Sequence, residues 1–180
     1  MNERGVWTTK EETDTHEFDV SLCDQIVLLF HGSVIDIGCG DGSYTRHLIQ
    51  NGFDCVGYDG SPLTPELSSG LCGVMDFSEP VNVGRFDIVL SLEIGEHIPV
   101  QYEEVFIDNI CNATKNFIIL SWAVIGQGGT GHVNCRDNDY IITKIQARGF
   151  ILNPALTQKL RSSAILSWFK NTLMVFQWKQ

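Results

Sequence analysis

The glycine-rich stretch at residues 38–42 limits the possible folds of this chain more than any other part of its sequence. The apolar run Ser33 to Ile37 is a candidate buried strand, and Gly38-Cys39-Gly40-Asp41-Gly42 follows it directly. Ser43 then begins a candidate helix that continues to about Gln50. Glycines permit positive φ angles and a close approach of the backbone to a ligand. The pattern predicts a strand, loop and helix in which the loop borders a binding site.

The rest of the chain alternates strand patterns with helix patterns. Candidate strands cover residues 55–58, 71–74, 86–92, 116–122, 150–152 and 173–178, and candidate helices cover 20–30, 101–113, 137–148 and 155–166. This alternation predicts a doubly wound α/β fold with a mostly parallel sheet of seven strands and helices on both faces. No linker interrupts the sequence, so we predict one domain over 1–180, with a helical segment at 1–30 before a Rossmann-like core at 31–180.

Composition and charge exclude several classes of protein. The 22 acidic and 12 basic residues give a formal net charge of −10. This charge repels phosphate backbones and so disfavours a nucleic-acid partner. The longest apolar runs are too short to span a bilayer, and the first ten residues lack an apolar signal core. We therefore expect a soluble, cytoplasmic protein without membrane insertion. The 6 cysteines form no Cys-x-x-Cys pair and are predicted to be reduced packing residues.

Acidic residues stand at the ends of four candidate strands, where ligands bind in open α/β sheets. Asp36 precedes the glycine loop and can organise it or meet a cationic amine. Asp59 can accept both hydroxyls of a ribose, as carboxylates do in dinucleotide-binding folds. Asp76 can accept the exocyclic amine of adenine while Phe77 stacks on the ring. Glu93 follows the fourth of these strands, beside the position of a cofactor's reactive end.

Together, residues 36–42, 58–59, 75–77 and 86–97 resemble the successive motifs of class I S-adenosylmethionine (SAM)-dependent methyltransferases, over about residues 30 to 150. The resemblance implies SAM as cofactor and an antiparallel last strand. A nicotinamide dinucleotide enzyme is disfavoured because the third glycine arrives one residue early and Asp41 would repel phosphate. The implied contacts are Asp36, Gly38 and Gly40 for the methionine part, Asp59 for the ribose, Asp76 and Phe77 for adenine, Ser91 and Leu92 for the sulfonium side, and Cys39, Tyr44 and Gly60 around them.

A second motif, Glu93-x-x-Glu96-His97, is followed at a distance by His132. If a helical turn follows the strand, the first three side chains share one face. The set resembles the magnesium-dependent group of class I methyltransferases, which includes small-RNA 2′-O-methyltransferases and a ubiquinone-pathway O-methyltransferase. It implies a divalent Mg, Mn or Zn ion held by all four residues. Metal-free relatives also carry Glu and His here, so the alternative is that the first Glu is structural and the His acts alone. His97, His132 and Glu96 are the candidate catalytic residues.

The acceptor is indicated by the segment from Ser121 to Asn134. Trp122 either faces a sugar ring or packs in the core, and the Gly126 to Gly131 run is either a lid or a connection. The segment resembles small methyltransferases encoded with glycosyltransferases in bacterial and large-virus glycan pathways. That resemblance implies O-methylation of a sugar or glycan hydroxyl, by a whole protein or by a domain of a larger glycan-assembly polypeptide. The alternatives are RNA 2′-O-methylation and a non-catalytic SAM-binding partner subunit.

Overall fold

The fold is built on a single seven-stranded sheet, seen in a computed structural model that describes residues 1–13 and 16–179. The strand order is β3-β2-β1-β4-β5-β7-β6, and β7 pairs antiparallel with both β5 and β6 while the other pairings are parallel. The predicted α/β fold class, including the antiparallel last strand, is confirmed. The strands are β1 Ser33–Ile37, β2 Asp54–Asp59, β3 Gly73–Val74, β4 Phe86–Ser91, β5 Thr114–Leu120, β6 Phe150–Leu152 and β7 Met174–Trp178.

Helices cover both faces of the sheet because successive strand residues point to opposite sides. Val34 packs with Leu22 and Leu48 on one face, while its neighbour Ile35 packs with Phe106 on the other. Within the described residues no helix is long and apolar enough to cross a membrane. The helices are α1 Lys10–Thr13, α2 Val20–Leu29, α3 Ser43–Gln50, α4 Thr64–Leu67, α5 Glu103–Asn112, α6 Asn138–Gln146, α7 Pro154–Ser163 and α8 Phe169–Thr172.

Several predicted boundaries change in the structure. β5 begins at Thr114 and ends at Leu120, so it lies two residues earlier than its apolar pattern suggested, and β3 keeps only its last two residues. Helix α7 ends at Ser163 because Ala164 is extended, with ψ 135°. The four-residue helices α1, α4 and α8 were not predicted, since one helical turn has no periodicity to detect.

Five of the cysteines are buried, as predicted for packing residues, and Cys135 is half-buried. All 6 are free. Cys23 lies against α7 and Cys111 against the sheet, each within a hydrophobic core. Burial raises the pKa of the Cys111 thiol to about 12, which makes it a poor nucleophile at neutral pH.

Candidate active site

A cavity of about 380 Å³ lies where the winding of the sheet reverses, at the carboxyl ends of β1, β2 and β4. Ligands of open α/β sheets bind at such reversals. Gly40 and Ser91, two predicted cofactor contacts, do not line it. The other nine predicted contacts line it, namely Asp36, Gly38, Cys39, Tyr44, Asp59, Gly60, Asp76, Phe77 and Leu92.

The glycine loop is held against the end of β2. The Gly38 N–H donates to the Tyr58 carbonyl at 2.8 Å, and the Gly40 N–H donates to the Asp59 carboxylate at 3.0 Å. The other Asp59 oxygen accepts the Ser61 N–H at 2.7 Å. Gly40 has φ +53°, and an added Cβ would lie 2.4 Å from the His16 ring, so the loop requires glycine there. Asp59 therefore orders the loop and also lines the cavity.

Asp36 is a buried carboxyl at the start of this loop, with 4% of its surface exposed. One oxygen accepts the Thr45 hydroxyl at 2.7 Å. Burial raises the pKa of Asp36 to about 7, because the charged form loses its hydration and one hydrogen bond compensates only in part. A cationic group placed beside Asp36 would favour its ionised form.

The N-terminal residues attach to the far end of the cavity, next to Asp76 and Phe77. Asp76 accepts the Ser78 N–H at 2.8 Å, and Arg4 donates to the Ser78 hydroxyl at 2.8 Å. The Arg4 guanidinium also lies 4.5 Å above the centre of the Tyr102 ring. These contacts fix the first residues of the chain over the proposed adenine end.

Two imidazoles meet at the opposite end of the cavity. The ring centres of His97 and His132 are 5.0 Å apart, and the rings are nearly perpendicular. Each Nδ1 lies 3.2 Å from a backbone carbonyl, that of Gly131 for His97 and that of Gln127 for His132. A ring that donates from Nδ1 keeps Nε2 as a proton or metal acceptor. Burial, reinforced by the neighbouring His132, lowers the pKa of His97 to about 4, so His97 is neutral near pH 7.

Glu96 lies behind these rings and has no solvent exposure. Neither of its carboxylate oxygens has a hydrogen-bond partner within the described residues, and one is 3.9 Å from the His132 Nε2. Burial and the nearby Glu93 raise the pKa of Glu96 well above its usual range. One ligand atom from each of Glu96, His97 and His132 lies within 4.8 Å of the other two. Such a carboxyl requires either a proton or a cation beside it.

Glu93 lies near Glu96, but it is not among the three side chains whose ligand atoms lie within 4.8 Å of one another. The α-helical turn that would align Glu93 with Glu96 and His97 on one face does not form. Glu93 has φ +56°, and a short 3₁₀ turn over Gly95–His97 follows in place of an α-helix. The Glu93 carboxylate instead accepts the Gln127 side-chain N–H at 2.6 Å and the Thr172 hydroxyl at 3.2 Å. Its left-handed backbone turns the side chain toward the loop after β5 and toward α8.

Trp122 does not face the cavity, and the suggestion that it meets a sugar ring is wrong. It is fully buried, its ring lies edge-on to Phe106, and its indole N–H donates to the Asn134 carbonyl at 2.7 Å. Trp122 thus packs in the core, the alternative stated for it above. Residues 127–130 of the glycine run do line the cavity.

The roof of the cavity is formed by residues 5–7, 13, 16 and 17, and no sequence pattern indicated it. Trp7 lies between two imidazoles, with ring centres 5.2 Å from both His97 and His16. Gly5 lies so close to the His97 carbonyl that an added Cβ would be 1.9 Å from the oxygen. This segment has no hydrophobic period, and only the folded structure places it over the site.

The fold and the site together define a class I SAM-dependent methyltransferase domain, because the sheet has the predicted seven strands with an antiparallel last strand and nine of the predicted cofactor contacts line one cavity. Residues 15–120 match the family described as a methyltransferase domain, and this is more than half of the chain. The chain belongs to that family, and the predicted SAM-dependent methyltransferase class is confirmed.

Individual relatives are more distant. A probable tocopherol O-methyltransferase of Oryza sativa is 31% identical over 104 residues, which cover 50% of this chain and 29% of the relative. A ubiquinone biosynthesis O-methyltransferase of Azorhizobium caulinodans is 36% identical over 75 residues, 36% of this chain and 30% of that protein. The chain thus spans less than a third of the length of these relatives.

Solved structures share the fold at low sequence identity. Magnesium protoporphyrin IX methyltransferase from Synechocystis PCC 6803, determined with bound S-adenosylhomocysteine (SAH), superposes with a TM-score of 0.63 and 19% identity. The superposition covers 89% of this chain and 81% of that one. At this identity the likeness supports the fold and leaves the acceptor open.

Proposed function

We propose that the domain is an O-methyltransferase that methylates a hydroxyl group with a histidine as base. SAM, when bound, supplies a methyl group on a sulfonium sulfur, which an oxygen nucleophile attacks in line. The residues that would hold it are those of the cavity wall, with Asp59 at the ribose and Asp36 at the methionine part. The single observation that carries the proposal is the His97 and His132 pair at the other end of the same cavity.

A neutral imidazole is the group that this reaction requires. A hydroxyl is a weak nucleophile until a base removes its proton, and histidine does so near neutral pH. The low pKa of His97 keeps its ring unprotonated and able to accept. The carbonyls of Gly131 and Gln127 orient the two rings so that both Nε2 atoms remain available. The chain's own part in catalysis is to hold the hydroxyl proton against one of these nitrogens and to exclude water.

A divalent ion is the alternative role for the same group, and the unpartnered oxygens of Glu96 support it. The two roles exclude each other at one ring, because an imidazole nitrogen that binds an ion cannot also accept the hydroxyl proton. One carboxylate and two imidazoles are a donor set that suits Mg, Mn or Zn. Glu96, His97 and His132 would hold the ion, and Glu93 is no longer included. An ion there would lower the pKa of a bound hydroxyl. The loop carbonyls behind both histidines are the supporting contacts that such ligands usually have.

For the acceptor we propose a sugar or glycan hydroxyl. The polar, glycine-rich residues 127–130 support a polar acceptor, because they form the cavity wall beside the histidines. The relatives named for tocopherol and ubiquinone biosynthesis are O-methyltransferases, which supports oxygen as the methylated atom and makes a non-sugar hydroxyl the second candidate. A cytoplasmic location and a place within a larger glycan-assembly polypeptide remain parts of the proposal.

Transfer of labelled methyl groups to a panel of glycans, activated sugars, phenols and short RNAs tests the acceptor and the ion together. We expect label in the sugars, lost after exhaustive chelation and restored by Mg, Mn or Zn. Label in RNA or phenols alone would contradict the sugar assignment. Full turnover after chelation, with metal content verified by elemental analysis, would contradict the ion and leave the histidine base alone.

Asp36 should make cofactor affinity depend on pH. In the free protein the raised pKa keeps Asp36 largely protonated below pH 7, while a ligand bearing an ammonium group favours the ionised carboxylate. Affinity for SAH should therefore increase with pH. For a pKa of about 7 the ionised fraction, and with it the affinity, should be about fourfold higher at pH 8 than at pH 6.5.

Calorimetric titration with SAH at these two pH values measures the effect. In Asp36→Asn the ratio of affinities should be close to one, whatever the affinity itself. If Asp36→Asn instead shows the same ratio of SAH affinities as the wild type, the pH dependence belongs to another group of the cavity.

A further inference from the structure

His16 has no assigned role, yet its ring lies directly over the glycine loop. A Cβ added to Gly40 would lie 2.4 Å from the His16 Nε2. Trp7 also contacts the imidazole, with ring centres 5.2 Å apart and ring planes tilted by 35°. The Nδ1 of His16 is buried and has no hydrogen-bond partner within residues 1–13 and 16–179. A buried polar atom without a partner costs free energy, and a bound ligand would relieve that cost.

The charges of the cavity wall explain why a histidine in this position matters. Among the described residues that line the cavity there is no lysine or arginine, and the side chains that can carry positive charge are the imidazoles of His16, His97 and His132. Two of these rings lie at the acceptor end, on the carbonyls of Gly131 and Gln127. The six acids of the wall are Glu17, Asp36, Asp41, Asp59, Asp76 and Glu93.

SAM carries two positive groups, a sulfonium and an ammonium, and one negative group, a carboxylate. The acids of the wall complement the positive groups and would repel the carboxylate. The carboxylate belongs to the methionine part, which is expected at the glycine loop. We propose that His16 binds the carboxylate of the cofactor, by donating a hydrogen bond from its imidazole; this inference rests on the proposed use of SAM. His16 would then orient the amino-acid end of the cofactor from above while the glycine loop supports it from below.

Two ligands that differ in this part alone test the inference by calorimetry. SAH contains the amino-acid part, and 5′-methylthioadenosine lacks it while keeping adenosine and the sulfur. We expect His16→Ala to weaken SAH binding about fivefold, which corresponds to about 1 kcal/mol. The affinity of His16→Ala for 5′-methylthioadenosine should remain that of the wild type. His16→Gln, which keeps a donor, should recover part of the loss for SAH.

The matched control is His31→Ala, an exposed histidine outside the cavity, which should bind both ligands as the wild type does. Thermal unfolding of each variant verifies that it is folded. If His16→Ala binds both ligands equally more weakly, or binds both as the wild type does, the assignment of His16 is wrong. If the wild type binds neither ligand, the proposed use of SAM itself is wrong, and that outcome is distinct because it appears before any variant is made.

Discussion

Replacing His97 or His132 with alanine should lower turnover about a hundredfold or more, the usual scale for losing a positioned base. SAH affinity should stay nearly unchanged, because both rings lie at the acceptor end, away from Asp59 and the glycine loop. The measurements are kcat at a saturating concentration of a verified acceptor and calorimetry with SAH. A matched control is His47→Ala, since His47 on α3 pairs with Asp24 on α2 and does not line the cavity.

The two roles proposed for this group are separated by Glu96→Gln. If Glu96 is protonated and no ion is present, the variant should keep most of its turnover, because glutamine has nearly the same shape as the neutral acid. It would bind a divalent ion weakly, because it removes the negative charge. Loss of turnover together with loss of bound metal in Glu96→Gln supports the ion. If His97→Ala and His132→Ala both keep wild-type turnover, neither histidine is the base.

Asp59→Ala should weaken SAH binding at least tenfold, which is about 1.4 kcal/mol or more. The Asp59 carboxylate contributes to cofactor binding in two ways. It is expected to accept the ribose hydroxyls, and it already accepts the N–H groups of Gly40 and Ser61, which hold the loop in place. The loss in the variant therefore combines a direct contact with a less ordered loop. Calorimetry with SAH and with 5′-methylthioadenosine should show weakening for both ligands.

The control for Asp59 is Asp139→Ala, an exposed acid on α6 outside the cavity. It removes the same charge from the protein without touching the site. Asp59→Asn keeps one acceptor oxygen and should fall between the wild type and Asp59→Ala. Wild-type affinity in Asp59→Ala would remove this residue from the cofactor site.

The strand and loop around Gly38 could be predicted from sequence because the information there is local. The bounds of β1, α3 and β6 are those predicted, since each apolar or helical run is closed by glycine, asparagine or a polar residue. The convergence of Asp36, Asp59 and Asp76 on one cavity was also predictable, because parallel strands bring their carboxyl ends to one edge. Adjacent β4 and β5 likewise place His97 near His132, as the two strand ends suggested.

What could not be predicted depends on tertiary contacts. The sequence after β4 is compatible with a helical turn or with the left-handed Glu93 that is observed. The sequence around Trp122 is compatible with a ring in the cavity or with the buried ring that is observed, and packing decides in both cases. The roof of the cavity was even less predictable, because Trp7 and His16 lie in a polar segment without hydrophobic periodicity. Their positions follow from contacts with residues far along the chain, such as Arg4 with Ser78.

Methyl transfer from SAM to a hydroxyl is the reaction that we propose for the domain. The most direct test is a single turnover of protein loaded with labelled SAM, mixed with a sugar acceptor and analysed by mass spectrometry. We expect one SAH for each methyl ether formed, with the label on a sugar oxygen. The double variant His97→Ala and His132→Ala should abolish the reaction. Tight binding of SAM without transfer to any acceptor of the panel would contradict this proposal and would make the domain a non-catalytic SAM-binding subunit.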